Sequence, residues 1–337
     1  MGDSEQSAAA LRRLIIGYRL SQALFVAAKL GIADLLKDGP RSVDDLAQVT
    51  GSHAPSLYRV LRLLAGEGVF AEQDERRFRL TPLAMHLQGD SPRSLRARAV
   101  FDGAQSNWGA WGNLLHSVNT GEAAFDHTFG MGLFDHLKQN AAAAASFDEL
   151  MATQTMPWAH ALVDAYDFSE IQTLVDVGGG YGALLAAILA AHPSMRGILY
   201  DLSHVIAGAR PNLEAAGVVE RCDTIVGNFF ETIPAGGQGY ILKHVLHDWD
   251  DDHCDAILRN CRRAMPEDGR LLVVEILIPP GNEPDYGKFL DVNMLVITRG
   301  RERTKEEYRE LFESTGFTLS RVVSTQSELS LIEGLPV

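Results

Sequence analysis

Cysteine is scarce in this 337-residue chain, and its few copies form no recognisable pattern. The three cysteines, Cys222, Cys254 and Cys261, are odd in number and contain no Cys-x-x-Cys pair. This excludes a disulfide framework and a thiolate zinc site. No apolar run approaches the roughly 20 residues that a membrane helix needs. We therefore expect a cytoplasmic protein that has no membrane partner.

Positive charge is scarce in the C-terminal two thirds. Residues 101–337 carry 16 Lys and Arg against 33 Asp and Glu, whereas residues 1–100 carry 14 against 11. A surface this acidic repels a phosphate backbone. It tolerates a cationic small molecule. We expect a small-molecule ligand and no nucleic acid.

A glycine-rich turn is the feature around which the rest of the chain is organised. The run Leu174–Gly182 is apolar until it reaches three consecutive glycines, and strong helix formers follow it. This pattern predicts a strand, a tight turn and a helix, with glycine allowing a ligand to approach the backbone. Gly178, Gly180 and Ala183 also fit the looser dinucleotide fingerprint. The turn alone therefore leaves a nicotinamide enzyme and other nucleoside binders open.

Strand and helix patterns alternate after Ile171, which predicts an α/β fold with a mostly parallel, Rossmann-like sheet. Seven strands are predicted, at 173–177, 197–201, 223–226, 239–243, 270–278, 318–323 and 328–333. Ligands of such sheets lie at the carboxyl ends of the strands. The polar residues expected to gather there are Asp176, Asp201, Asn228, Lys243 and Glu275.

The N-terminal part predicts a helical, winged-helix domain. Residues 9–36 have apolar side chains at helical spacing over an arc wide enough to meet a second subunit. Residues 42–81 read as helix, turn, helix and hairpin. Arginines on the second helix and the hairpin leave DNA recognition open, but we favour a structural domain. We expect three parts, residues 1–100, 101–168 and 169–337.

Residue types assign chemistry to several of these positions. Asp201 ends a strand where a carboxylate can accept hydrogen bonds from both ribose hydroxyls. Asn228 and Phe229 can offer an amide and a ring to adenine. His247 follows a parallel strand, and its unperturbed pKa of about 6.5 makes it a natural general base. Glu275 can fix its tautomer, and Glu302 can add a second polar contact.

These motifs, in this order and spacing, resemble one family. The segments are DVGGGYG, DL at 201–202, GNFF, ILKHVLHDWDD, LLVVEILIP and RERTKEEY. Together they resemble the small-molecule O-methyltransferases that use S-adenosylmethionine, a family that includes plant caffeic acid and isoflavone enzymes and bacterial enzymes of natural-product tailoring. The resemblance implies a class I methyltransferase domain preceded by a winged-helix domain that builds a homodimer.

The resemblance also implies roles for individual residues. His247 is then the general base, supported by Glu275 and Glu302. The residues implied to bind the cofactor are Gly178, Asp201, Leu202, Asn228, Phe229, Lys243 and Met151. The family commonly has Asp at the position of Asn228, which points to weaker adenine binding. The expected product is S-adenosylhomocysteine.

The acceptor is expected to be an aromatic small molecule with a phenolic or enolic hydroxyl, because aliphatic alcohols are much weaker acids. The expected pocket residues are Trp108, Trp111, Phe125, Met151, Asn293 and Met294. We expect no metal, since the histidines near Asp250 lack a trusted ligand spacing. Two alternatives stay open: a methyltransferase-like enzyme of hydroxylation, decarboxylation or pericyclic chemistry, and a winged-helix DNA-binding regulator.

Overall fold

The computed structural model describes residues 2–91 and 93–337, leaving aside the side chains of residues 2, 3 and 152. The chain forms two compact units. One runs to Gly109 and includes Leu137–Thr153, and the other comprises Ala110–His136 and Gln154–Val337. The expected division into residues 1–100, 101–168 and 169–337 stays a prediction. Among the described helices, none combines the length and apolar character needed to cross a membrane.

The first unit contains five helices before residue 104 and a three-stranded antiparallel sheet in the order β1-β3-β2. Its elements are α1 Gly2–Lys29, α2 Ile32–Leu35, β1 Arg41–Ser42, α3 Val43–Thr50, α4 Ala54–Gly66, β2 Phe70–Gln73, β3 Arg77–Leu80 and α5 Arg96–Gly103. Helices α3 and α4 and the β2–β3 hairpin form the predicted winged helix.

Local signals explain the boundaries of α3 and α4. The Ser42 hydroxyl accepts the Asp45 N–H at 3.1 Å and caps α3, which ends at Gly51 with φ of 65°. Glycine adopts this left-handed conformation without steric cost. The buried face of α4 contains Leu57, Leu61 and Leu64.

Helix α1 exposes a group of large apolar side chains around its middle. They are Leu11, Leu14, Ile15, Ile16 and Tyr18, with exposed fractions between 40 % and 78 %. The helical segment predicted over residues 9–36 is interrupted at Gly31, which has φ of 65°. Apolar patches of this kind on a helix are typical of protein interfaces.

Five further helices link the hairpin to the large sheet. They are α6 Gln105–Trp111, α7 Leu114–Thr120, α8 Ala124–Phe129, α9 Leu133–Gln139 and α10 Ala141–Ala165.

The second unit is built on a seven-stranded sheet in the order β6-β5-β4-β7-β8-β10-β9. The strands are β4 Thr173–Val177, β5 Arg196–Asp201, β6 Cys222–Val226, β7 Gly239–Lys243, β8 Arg270–Glu275, β9 Phe317–Ser324 and β10 Ser330–Pro336. The first five are parallel, and β10 is antiparallel to both of its neighbours. The predicted mostly parallel, seven-stranded sheet is confirmed.

Helices cover both faces of this sheet, because alternate strand residues point to opposite sides. Leu174 packs into one buried apolar cluster and Val175 into the other. The helices are α11 Ala183–Ala191, α12 Ser203–Ile206, α13 Arg210–Ala215, α14 Asp251–Ala264, α15 Tyr286–Ile297 and α16 Lys305–Ser314.

The single helix predicted over residues 205–216 is wrong, since α12 and α13 are separate. A Cβ atom at Gly208 would lie 2.6 Å from the Tyr181 ring, which shows how closely the backbone passes there. Pro211 lies in the first turn of α13. Proline lacks the N–H that a continuing helix requires.

Candidate active site

The glycine turn after β4 brings the backbone close to the neighbouring strand ends. Gly178, Gly180 and Gly182 have φ of 69°, 60° and 75°. A Cβ atom at Gly178 would lie 3.0 Å from Val245 Cγ2 and 3.5 Å from Phe229 Cε1. Glycine is required here both by conformation and by space. The turn can therefore present bare backbone to a ligand.

Asp201 lies at the end of β5 and its carboxylate holds the glycine turn in place. Its Oδ2 accepts the Gly180 N–H at 2.9 Å, and its Oδ1 accepts the Leu202 N–H at 2.6 Å. Burial raises the pKa of Asp201, and these two N–H groups oppose the shift. Each carboxylate oxygen keeps further acceptor capacity, which suits two vicinal hydroxyls. The side chain of Leu202 is 43 % exposed beside it.

Asp176, which is buried, and Lys243, which is partly buried, lie at the carboxyl ends of β4 and β7. Burial raises the pKa of Asp176 to about 7, although Lys243 opposes the shift. Burial lowers the pKa of Lys243, and Asp176 opposes that change. Oδ2 of Asp176 is buried and has no hydrogen-bond partner among the described residues. The Lys243 Nζ lies 5.5 Å from the centroid of the Trp158 ring. Asp176 and Lys243 together can therefore bind a ligand that carries both a positive and a negative group.

The segment after β6 supplies an amide and a ring. Asn228 Oδ1 accepts the Phe230 N–H at 3.1 Å, so the side chain closes a local turn. The Asn260 side chain donates to the Phe229 carbonyl at 2.7 Å and anchors the segment to α14. The Phe229 ring lies against the backbone of Gly178. The predicted pair Asn228 and Phe229 is therefore placed next to the glycine turn.

The loop after β7 carries His247 and is fixed from below by Glu275. Oε1 of Glu275 accepts the N–H groups of Val245, Leu246 and His247 at 3.1, 3.1 and 3.3 Å. The Glu275 side chain is fully buried at the end of β8. Three donors on one carboxylate oxygen hold a short loop rigidly, because charge-assisted hydrogen bonds are strong. His244 opens the loop with φ of 54°.

The imidazole of His247 is surrounded by carboxylates. Its Nδ1 lies 2.6 Å from Glu302 Oε1 and 3.6 Å from Glu275 Oε2. Its Nε2 lies 3.8 Å from Asp248 Oδ1. When Nδ1–H donates to Glu302, Nε2 is the ring nitrogen that remains to contact a substrate. The structure thus brings together the three residues predicted to be catalytic, His247, Glu275 and Glu302.

The expected unperturbed pKa of His247 is wrong. Burial lowers the pKa of the imidazole, but Glu275, Glu302 and Asp248 raise it by more, to about 10. Nearby negative charge favours the cationic form of histidine. The expectation took Glu275 and Glu302 as orienting partners and left out both Asp248 and the combined charge of the three carboxylates. The three carboxylates therefore favour the imidazolium form of His247 over the neutral ring.

Two acids beside His247 are also perturbed. Burial raises the pKa of Glu275 to about 7, opposed by the charge of His247. Burial raises the pKa of Asp248 to about 6, again opposed by His247. The negative charge of each carboxylate and the positive charge of the imidazolium stabilise each other. Perturbed acids and bases in one crevice are typical of catalytic sites.

The predicted acceptor residues of the second unit lie around α15. Trp111 Nε1 donates to Asn293 Oδ1 at 3.1 Å. Met294 is 7 % exposed, next to Asn293 on the same helix. Phe125 is fully buried and packs against Phe129, with ring centroids 4.7 Å apart. Trp111 and Asn293 are thus brought together, and Met294 is a buried residue of the same helix.

Trp108 and Met151 belong to the first unit, which is described by itself. The Trp108 ring lies 6.0 Å from that of Tyr18, centroid to centroid. Met151 lies within α10. Their roles in the pocket, and that of Met151 in cofactor binding, stay predictions.

Three neighbouring residues, His247 among them, have metal-ligating side chains. Donor atoms of His244, His247 and Glu275 lie within 4.8 Å of one another. Their existing contacts account for much of this arrangement: His247 pairs with Glu302, and Glu275 accepts three backbone N–H groups. The His244 ring stacks on Trp158 at 5.0 Å.

Sequence reasoning left two residues out of the site. Asp248 has a carboxylate that faces His247, and its adjacency in the HDW triplet was an available signal. Gly300 packs against the loop that carries His247 so closely that a Cβ atom would lie 1.9 Å from the His247 carbonyl oxygen. A glycine between Arg299 and Arg301 gave no comparable signal.

Comparisons with known proteins agree with this geometry. Residues 111–318 match the O-methyltransferase domain, and residues 12–89 match the O-methyltransferase dimerisation domain. A phenazine O-methyltransferase of Lysobacter antibioticus is 49 % identical over 327 residues, which cover 97 % of this chain and 96 % of that protein. The chain belongs to the O-methyltransferase family. The enzyme uses S-adenosylmethionine as its cofactor.

Solved structures extend the likeness to the whole enzyme. The structure of a mitomycin 7-O-methyltransferase superposes with a TM-score of 0.94 at 37 % identity, covering 100 % of this chain and 99 % of that one. An O-methyltransferase from neocarzinostatin biosynthesis, solved with S-adenosylmethionine and 2-hydroxy-5-methyl naphthoic acid, has a TM-score of 0.84 at 32 % identity. That match covers 94 % of this chain and 96 % of the other.

Proposed function

We propose that this enzyme methylates a phenolic or enolic hydroxyl of an aromatic small molecule, such as a polyketide, quinone or flavonoid-like compound, with His247 as the general base. The observation that carries the proposal is the 2.6 Å contact between His247 Nδ1 and Glu302, which leaves Nε2 to meet the acceptor. Relatives named for phenazine and naphthoic acid compounds support an aromatic acceptor.

We propose that the cofactor is held at the carboxyl ends of the strands. The proposed binding residues are Gly178, Asp201, Leu202, Asn228, Phe229, Lys243 and Met151. When bound, S-adenosylmethionine supplies a methyl group already activated by its sulfonium. The chain fits such a ligand, because the turn at Gly178 has a positive φ and tight neighbours that favour glycine, and because the Asp201 carboxylate keeps acceptor capacity.

The carboxylates around His247 set the energy of proton removal. An unperturbed histidine of pKa about 6.5 is roughly 3.5 units too weak to deprotonate a phenol of pKa about 10. With its pKa raised to about 10, His247 matches a phenol. Proton transfer between matched groups costs little free energy, whereas keeping His247 neutral at pH 7 costs about 4 kcal/mol when its pKa is about 10. The pKa values of aliphatic alcohols lie far above that of His247, which supports an aromatic or enolic acceptor.

Because the same carboxylates favour the imidazolium, His247 must lose a proton before it can act as a base. An imidazolium has no lone pair, so it can only pair with an acceptor that is already ionised. Positive charge brought into the crevice lowers the pKa of His247 and favours the neutral ring. Its Nε2 then accepts the hydroxyl proton, and Glu302 stabilises the imidazolium that forms.

We further propose a homodimer that forms through the exposed face of α1, with the acceptor pocket formed by Trp108, Trp111, Phe125, Met151, Asn293 and Met294. The match of residues 12–89 to a dimerisation domain supports the first part. The hydrogen bond between Trp111 and Asn293 supports the second.

The three cysteines are buried and unpaired, which fits the reducing cytoplasm.

The test replaces His247 with Gln and measures methyl transfer to a panel of phenolic acceptors. A general base contributes about 10²–10⁴ in rate, so kcat should fall by that factor. His160→Gln is the matched control, because His160 is an exposed residue of α10. Wild-type turnover by His247→Gln would contradict the assignment.

A further inference from the structure

Arg303 is a fully buried arginine that directly follows Glu302. Two of its guanidinium nitrogens donate to the same carboxylate oxygen, Asp251 Oδ1, at 3.1 Å from Nε and 2.7 Å from Nη2. A buried cation is strongly unfavourable unless hydrogen bonds and opposite charge compensate for it. The side chain of Asp251 is 56 % exposed, so the pair buries only the arginine.

The remaining donors of Arg303 reach the backbone of the catalytic loop. Nη1 donates to the Leu246 carbonyl at 3.1 Å, and Nη2 donates to the Trp249 carbonyl at 3.0 Å. These carbonyls lie immediately before and after the pair His247 and Asp248. The guanidinium is rigid and planar, so its donors fix the distance between the two carbonyls.

The Cys254 thiol contacts both the Leu246 carbonyl and the Arg303 guanidinium. Cys254 Sγ lies in α14 and donates to the Leu246 carbonyl at 3.2 Å. The Arg303 Nη2 lies 3.4 Å from the same sulfur. Burial raises the pKa of this thiol to about 12, so it remains a neutral donor.

The backbone of Arg303 is itself anchored. Residues Leu277 and Arg303 form a parallel β-bridge, and the Ile278 N–H donates to the Arg303 carbonyl at 3.2 Å. This attaches the segment to the continuation of β8, the strand that carries Glu275. Consecutive residues, Glu302 and Arg303, thus contact the imidazole and the backbone of one loop from a common anchor.

We propose that Arg303 is a positioning residue of methyl transfer, which holds the His247 loop by its carbonyl groups while Glu275 holds the loop by its N–H groups. The inference rests on the proposed role of His247 as the base. Loss of the hydrogen bonds from either Arg303 or Glu275 lets the imidazole move relative to the acceptor hydroxyl. A displacement of about 1 Å lowers the rate roughly 10²-fold.

The test is Arg303→Lys, which keeps the charge and loses the planar fork. We expect kcat to fall about 10²-fold, with the KM for S-adenosylmethionine nearly unchanged. Hydrogen exchange at residues 245–249 should accelerate, because the loop is released. Arg309→Lys is the matched control, since Arg309 pairs with Glu306 on the surface of α16 and does not contact the loop.

A second variant covers the case in which Arg303→Lys fails to fold. Asp251→Asn keeps the arginine and weakens its orientation, and its exposed side chain tolerates the change. It should lower kcat in the same direction by a smaller factor. The double variant His247→Gln with Arg303→Lys should be no slower than His247→Gln alone, because the position of an absent base does not matter.

Several outcomes would overturn the proposal. If Arg303→Lys or Asp251→Asn lowers only the melting temperature, while kcat and loop exchange match the Arg309→Lys control, then Arg303 is merely structural. If the KM for the cofactor rises instead, its effect lies in the cofactor site. Full turnover by His247→Gln contradicts the proposed function itself, a result distinct from both.

Discussion

Replacing Glu302 with Gln tests the central electrostatic claim. The pKa of His247 lies at about 10. Against an ordinary value of about 6.5, this is roughly 3.5 units, or about 5 kcal/mol of preference for the imidazolium. Glu302 is the nearest of three carboxylates, at 2.6 Å from Nδ1, compared with 3.6 Å for Glu275. One carboxylate at such distances shifts a neighbouring pKa by about 1–3 units.

We therefore expect Glu302→Gln to lower the pKa of His247 by about 1–3 units and kcat by about 10²-fold or more. The pKa is measured by NMR from the pH dependence of the His247 Cε1 resonance, assigned with the His247→Gln variant. Glu306→Gln is the control, because Glu306 is exposed and pairs with Arg309. An unchanged His247 pKa in Glu302→Gln would refute the reasoning, whatever happens to the rate.

Four further predictions follow from the site and the surface. Gly178→Ala should weaken binding of S-adenosylhomocysteine in calorimetry, because a Cβ atom there would lie 3.0 Å from Val245. Asp201→Asn should raise the KM for the cofactor by about tenfold or more, as expected when a charged hydrogen-bond acceptor is lost. Leu14→Asp, at a position 78 % exposed on α1, should shift the mass measured by light scattering from dimer to monomer. The raised pKa of His247 should contribute fully to the free energy of unfolding below pH about 6.5, and this contribution should be lost as pH rises through about 10. In urea denaturation, the free energy of unfolding should therefore fall more between pH 7 and pH 10 for wild type than for His247→Gln.

Local signals account for the elements that were predicted with the right boundaries. The strand Thr173–Val177 and the helix Ala183–Ala191 flank the glycine turn, and Thr304 and Glu307 form a capping box at the start of α16. Glycines, caps and apolar runs act within a few residues, so they can be read from one sequence. The same holds for His247, Glu275 and Glu302, each of which lies near a predicted strand end or motif.

Contacts between distant residues account for what was missed. The break between α12 and α13 depends on the ring of Tyr181, far from Gly208 in sequence. The raised pKa of His247 depends on charges from β8 and from the segment before α16. The grip of Arg303 on the Leu246 and Trp249 carbonyls joins residues more than 50 positions apart. Neither periodicity nor motif spacing reports such distances.

Gly300 has a practical consequence for changing the acceptor range of this enzyme. It connects α15, which carries Asn293 and Met294, to Glu302, and it leaves no space between itself and the His247 carbonyl. A designer who enlarges the pocket by shifting α15 therefore moves the partner of the base as well. Mutant libraries should vary side chains on α15 and keep the length and glycine of this connection constant.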